Sequence, residues 1–191
     1  MILASSSPQR RQLLEAAGFQ FEVVPSAVKE RFDSYLTICE LTLLNARQKA
    51  LAVAQRHYDS VVLGADTLVA LRGELIGKPR DLDEAAKTLR RLSGQVHQVC
   101  TSVCIVYAAD AKSVLFHEIS QVRFHPLTAD KIQAYLAKIN PLDKAGAYAA
   151  QGAGREVIAE IIGSYTNVVG LPMEKTARAL DRFGIKPILT A

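Results

Sequence analysis

The sequence predicts an α/β fold on a mixed sheet, with a cleft between two lobes of that sheet. Three observations point there. Strand-like and helix-like segments alternate along most of the chain. Two long β-branched runs, Val96–Tyr107 and Val114–Phe124, follow one another across the Ala108–Ser113 turn, which makes them an antiparallel pair inside that alternation. Glycines beside charged residues crowd several connecting segments, as loops lining a cleft require. At 191 residues, with 49% hydrophobic and 22% charged, the chain reads as one domain spanning residues 1–191. A core of that size needs no disulfide or metal staple.

The elements follow in order. Met1–Ala4 is a short buried strand, and Ser5–Ser7 a serine turn. A helix opens at Pro8, since serine caps well and proline suits the first helical position. It runs to about Ala17, where Gly18 stops it. Phe19–Val24 reads as a strand, and Ser26–Leu36 as an irregular loop. Thr37 caps a long helix reaching about His57, and Glu40 completes a capping box. Val61–Ala70 reads as a strand interrupted at Gly64-Ala65-Asp66-Thr67, followed by a short strand at Leu75–Gly77. Asp81 caps a helix over Leu82–Leu92. Beyond the antiparallel pair, a helix starts at Pro126-Leu127-Thr128 and reaches about Lys138. Val157–Ile162 and Thr166–Val169 read as strands around Gly163-Ser164, and a last helix covers about Met173–Phe183.

Composition excludes several classes. The net charge is +4, but Lys and Arg are dispersed without a basic run. With six Tyr, six Phe and no Trp there is no basic face interleaved with aromatics, so no stable nucleic-acid binding is expected. No apolar stretch reaches membrane-spanning length and no signal peptide opens the chain, so no membrane partner is expected. Cys39, Cys100 and Cys104 make an odd count without a CxxC pair, which suggests free thiols in a reducing cytoplasm. Cys100 and Cys104 lie four apart on one strand and should share a buried face. No GxSxG, GxxxxGK[ST], GxGxxG or HExxH pattern occurs.

The chemistry concentrates elsewhere. Arg10 and Arg11 put two cations in the first turn of a helix, where the dipole disfavours them. Serines, free backbone N–H groups and arginines converging there suit an anion. Asp66 follows an apolar run, where a buried strand should surface; it could hold a divalent cation, orient water, or serve only as a turn aspartate. Lys78, between Gly77 and Pro79, could reach a phosphate or remain an exposed turn lysine. Lys49 is mid-helix, where a solvated face is the default, and His97 reads as structural.

Seven segments in order resemble the Maf family of nucleoside triphosphate pyrophosphatases. They are LASSSPQRRQLL (Leu3–Leu14), ARQKA (Ala46–Ala50), LGADTLV (Leu63–Val69), GKPRD (Gly77–Asp81), LSGQVHQVCT (Leu92–Thr101), DKAGAYAAQG (Asp143–Gly152) and GSYTNVVGLP (Gly163–Pro172). The resemblance implies an elongated, two-lobed mixed α/β sheet with a central cleft. It implies cleavage of a nucleoside triphosphate between the α and β phosphates, with Mg²⁺ or Mn²⁺, and Co²⁺ as a third candidate. Asp66 looks like the family's general base, and Glu30 with Asp66 like its metal-holding acids. Ser5, Arg10, Lys49 and Lys78 match its phosphate-contacting positions. The subgroup acting on dTTP and UTP resembles this chain at Thr67 and Gln151; at Gln9 that subgroup carries arginine, and Ala150 replaces the usual isoleucine before Gln151. The resemblance also implies a cytoplasmic house-cleaning role, a link to inhibition of septum formation, and a homodimer. A 7-methyl-GTP pyrophosphatase, a phosphatase releasing single phosphates and a non-catalytic nucleotide-binding regulator are the alternatives.

Overall fold

The computed structural model describes residues 1–188; the last three residues of the expected 1–191 domain lie outside the described residues. The chain runs through β1 (Ile2–Leu3), α1 (Pro8–Ala16), β2 (Glu22–Val23), α2 (Ile38–Ala54), β3 (Val61–Leu71), β4 (Glu74–Ile76) and α3 (Leu82–Leu92). It continues through β5 (Val96–Tyr107), β6 (Lys112–Phe124), α4 (Ala129–Leu136), β7 (Ile158–Ile162), α5 (Tyr165–Val169) and α6 (Met173–Asp181). Local chemistry accounts for the helix starts. Ser7 Oγ accepts from Arg10 N–H at the head of α1, with Pro8 at the first helical position. Thr37 and Glu40 close a reciprocal capping box on α2, Thr37 N–H donating to Glu40 Oε2 at 2.8 Å. Asp81 and Thr128 cap α3 and α4 as the sequence leads one to expect.

Seven strands form one mixed sheet in the order β2-β1-β3-β5-β6-β7, with β4 attached to β3. β3 is its spine. One edge pairs with β5 along nearly its whole length, from Val61↔Tyr107 to Ala70↔Gln98. Two short strands share the other edge: β1, parallel at Val62 and Leu63, and β4, antiparallel at Val69–Leu71. Between them, among the described residues, Gly64–Leu68 has no strand partner on that side. The sheet is therefore split along one edge of β3, and different helices pack the two ends. At the β1 end, Ala46, Ala50 and Val53 of α2 cover Ile2 and Val62 on one face. Leu14 of α1 and Leu180 of α6 cover Leu3, Leu63 and Ile105 on the other. At the β4 end, Leu89 of α3 and Tyr135 of α4 pack on Val69, Val122 and Phe124.

Several expectations need correction. β3 is continuous through Gly64-Ala65-Asp66-Thr67, so Asp66 sits mid-strand rather than where a strand ends. Thr166–Val169 is helical, not a strand. Ser164 caps it by accepting from Asn167 N–H at 3.1 Å, and buried Asn167 ties it to β5, which outweighs the β preference of threonine and valine. The strand expected over Phe19–Val24 reduces to two residues, and the long helix ends at Ala54 rather than His57. The three cysteines are unpaired thiols, and Cys100 and Cys104 are both buried. Burial pushes the Cys100 thiol up to about 12 and the Cys104 thiol up to about 11. Among the described residues no helix is long and apolar enough to cross a membrane.

Candidate active site

The gap along β3 is where the polar residues gather. Asp66 points from β3 towards α2 and is almost fully buried. The buried residues of α2 recur three and four apart: Ile38, Leu41, Thr42, Asn45, Ala46, Lys49, Ala50, Val53. This is a core-facing stripe that carries three polar side chains. Gly64, on the same strand face as Asp66, lets the helix come close. A Cβ there would lie 2.6 Å from the Ala50 nitrogen and 2.7 Å from the Ala46 carbonyl oxygen. That approach sets Asn45 and Lys49 against Asp66. Lys49 Nζ donates to Asp66 Oδ1 at 2.7 Å, to Glu30 Oε1 at 2.7 Å and to the Ala65 carbonyl at 3.4 Å. All three of its N–H groups are thereby taken. Asn45 Nδ2 donates to Asp66 Oδ2 at 3.1 Å, so both carboxylate oxygens have a partner.

Glu30 comes from the irregular Pro25–Leu36 segment, and Asn45 holds that segment in place. Asn45 Oδ1 accepts from Arg31 N–H at 2.9 Å, and Nδ2 donates to the Arg31 carbonyl at 3.0 Å. One carboxamide thus fixes the backbone next to Glu30 and touches Asp66. Partial burial would raise the Glu30 carboxyl, but Lys49 and then Lys78 reverse this and hold it down at about 2. Lys78 Nζ, half-exposed, donates to Glu30 Oε2 at 3.2 Å and to Oε1 at 3.3 Å.

Arg10 closes the other side. Its Nε donates to the Gly170 carbonyl at 2.9 Å, one terminal nitrogen to Ser5 Oγ at 3.1 Å and the other to Thr67 Oγ1 at 2.9 Å. Two of five N–H bonds have no partner among the described residues. Burial lowers its pKa, while the charges of Asp66 and Glu30 pull it back up. Gln9, half-buried, accepts from Ser7 Oγ at 3.1 Å.

Two adjoining hollows occupy the gap. The first has about 770 Å³ between its walls, open solvent included. Gln9, Arg10, Glu30, Asp66, Thr67 and Lys78 line it, together with apolar Val69, Val99, Tyr148 and Val168. The second is lined by Ser5, Gln9, Arg10, Glu30, Lys49 and Lys78. Eight of the nine residues singled out from sequence therefore meet here. The exception is Gln151, which lines neither hollow and heads a short 3-10 turn; its neighbour Ala150 is on the wall instead. Sequence reasoning passed over Asn45, Asp143, Tyr148 and Gly170 as site residues. For Asn45 the signal was available, since it falls on the same helical stripe as Leu41, Ala46 and Lys49.

The two acids could hold a divalent cation that draws its other ligands from elsewhere. Glu30 and Asp66 share one donor, Lys49, and so converge. Among the described residues no group of three His, Cys, Asp or Glu is placed to hold a metal alone. Mg²⁺ commonly completes its shell with one or two carboxylates plus substrate phosphates and waters, so the donor set fits.

A mixed sheet split along one strand, with two carboxylates facing an arginine and two lysines in the split, defines an α/β protein built to hold an anionic ligand beside acidic groups. The family model described as Maf-like protein matches residues 1–183, and the chain belongs to that family. It is similar to a protein named dTTP/UTP pyrophosphatase from Bacillus cereus, 45% identical over 185 residues, covering 97% of this chain and 90% of that protein. A relative of the same name from Bacillus anthracis is 44% identical, covering 97% of this chain and 96% of its own. A solved structure of a HAM1 protein from Coxiella burnetii aligns at a TM-score of 0.47 and 13% identity, over 95% of this chain and 94% of that one.

Proposed function

We propose that this protein hydrolyses nucleoside triphosphates to the monophosphate and pyrophosphate, with dTTP and UTP as substrates and Mg²⁺ or Mn²⁺ (Co²⁺ in third place) as cofactor. The names of its relatives support the reaction class. The observation that carries it is the meeting of buried Asp66 with Glu30, Arg10 and Lys78 in one cavity. Asp66 would accept the proton of the attacking water, held in orientation by Asn45 and Lys49. Glu30 and Asp66 would hold the cation, which when bound neutralises charge on the phosphate oxygens. Arg10, with two N–H bonds unpartnered among the described residues, and half-exposed Lys78 would meet the phosphates, as would Ser5 at the head of the first hollow's neighbour. A phosphate would compete with Glu30 for Lys49. Base choice would rest on Gln9, Thr67 and Gln151, of which Thr67 and Gln9 line the first hollow. The setting inferred is the cytoplasm, as a house-cleaning homodimer with a part in restraining septum formation.

The test is a screen of common and modified triphosphates with Mg²⁺, Mn²⁺ and Co²⁺, measuring pyrophosphate and orthophosphate separately. Pyrophosphate equimolar with monophosphate from dTTP and UTP is expected. Orthophosphate alone, or nucleotide binding without turnover, overturns the reading. Asp66→Asn should lower kcat by roughly 10²–10⁴, the worth of a positioned general base.

A further inference from the structure

We infer that Thr101 and Asn167, neither of which reaches the cavity wall, fix the proton of the Thr67 hydroxyl so that Thr67 can only accept a hydrogen bond from the substrate base. The inference rests on the reading of the gap as a nucleoside triphosphate site. It follows from a chain of hydrogen bonds whose direction has no freedom. Arg10 has no acceptor, so its guanidinium donates to Thr67 Oγ1 at 2.9 Å. At the other end, the Asn167 carbonyl can only accept, and it accepts from Thr101 Oγ1 at 2.9 Å. Thr101 has one hydroxyl proton, spent on Asn167. The 2.9 Å contact between Thr67 Oγ1 and Thr101 Oγ1 must therefore run from Thr67 to Thr101.

The far end is rigid. Asn167 is fully buried, accepts from Thr101 N–H at 3.1 Å, and donates to the Val99 carbonyl at 3.1 Å and to Ser120 Oγ at 2.9 Å. Thr67 and Thr101 are direct cross-strand partners on β3 and β5. The hydroxyl proton is committed inward, and what Thr67 shows the cavity is an oxygen lone pair.

The surroundings say what should meet it. Thr67 shares its wall with Val69, Val99, Val168 and Tyr148. The Tyr148 hydroxyl is already engaged with His97 Nε2 at 2.8 Å. These four side chains offer a flat base apolar surface, whereas Ser5 and Lys49 line the other hollow and not this one. A phosphate oxygen, itself an acceptor, is unsuited to Thr67. A uracil or thymine ring offers its N3–H as donor; cytosine presents a lone pair at the same place. Opposed lone pairs leave both acceptors unpaired once the base has displaced water from between them. A site built to bond a substrate N–H can reject the analogue lacking it far more strongly than shape alone.

The experiment compares kcat/KM for UTP, CTP and 3-methyl-UTP in wild type, Thr101→Val and Thr101→Ser. A ratio between substrates is independent of the fraction of folded enzyme, so a general loss of stability does not move it. Wild type should prefer UTP over both analogues. Thr101→Val frees the Thr67 proton, and the UTP:CTP ratio should fall by about tenfold, the worth of one net hydrogen bond. Thr101→Ser should restore the ratio. An unchanged ratio in Thr101→Val overturns the inference. Should that variant not fold, wild-type turnover of 3-methyl-UTP equal to that of UTP overturns it equally. If wild type hydrolyses no triphosphate, the proposed reaction fails instead, and calorimetric binding of UTP against CTP reads the same ratio.

Discussion

Lys49 and Asp66 form a buried ion pair at 2.7 Å, with side chains 9% and 4% exposed. Lys49 is also the link to Glu30, so one ammonium holds two acids that come from different parts of the chain. Burying charges is tolerated only when they are paired and hydrogen-bonded, and here each partner is. Lys49→Met leaves Asp66 buried with Asn45 alone and should destabilise the fold by about 3–5 kcal/mol. Lys49→Met combined with Asp66→Leu should cost less than the sum of the single changes. Additive losses in denaturant melts would show the pair to be uncoupled.

Asn45 joins the Arg31 backbone to Asp66 through one carboxamide. Asn45→Ala should release the Glu30 segment, because the Arg31 N–H and the Arg31 carbonyl each lose the Asn45 side chain as partner. The expected signature is a metal half-saturation concentration that rises by roughly tenfold, the worth of about one net hydrogen bond, with a smaller rise in KM for nucleotide. Titrating Mn²⁺ at saturating UTP measures it. Equal metal affinity in the two proteins would remove Asn45 from that role.

Gly64 carries no side chain because the α2 backbone occupies the space, at 2.6 Å from the Cβ position. Gly64→Ala should push α2 off the sheet, at about 1–3 kcal/mol, as overpacking does elsewhere. Activity should fall further than stability explains, since α2 delivers Asn45 and Lys49. Comparing melting temperature with kcat at a temperature where the variant is fully folded separates the two effects.

His97 is buried against Phe124 and Tyr148, its Nδ1 has no hydrogen-bond partner among the described residues, and burial lowers its pKa from 6.5 to about 4. Well above pH 6.5 the ring is neutral in both states. As pH falls from 6.5 to 4 the unfolded chain takes up a proton that the folded one refuses, so stability declines through that window. The full loss is on the order of 3 kcal/mol. The decline between pH 6.5 and 4.5 should vanish in His97→Leu. Parallel melting curves for the two proteins across that range would contradict this.

How legible each part was depends on the range of the interactions behind it. The Thr37–Glu40 box, the Ser7 and Asp81 caps, and the β5–β6 hairpin are made by residues near one another, and the sequence displays them. Thr166–Val169 misled because its β-branched residues read as strand, while Asn167 gains buried partners on β5 and β6 only when the segment is helical. Lys49 read from its own surroundings as a solvated residue. Its stripe also carries Thr42 and Asn45, which blurs the apolar face that marks a helix as buried. The resemblance named Lys49, Asp66 and Glu30 as site residues, but not that one lysine would bridge both acids.

The sequence by itself determined where most helices begin, which runs form strands, and the family, because capping, alternation and motif order are written in local residue choice. Only the tertiary structure decided that the cleft is a vacancy on the edge of β3. Parallel β1 takes Val62–Leu63 and antiparallel β4 takes Val69–Leu71, and what lies between has no strand partner on that side among the described residues. Which stretches of an edge are covered depends on pairing between segments about sixty residues apart in one case and a tight turn in the other. Local sequence does not carry that outcome, because the β1–β3 pair joins residues far apart in the chain.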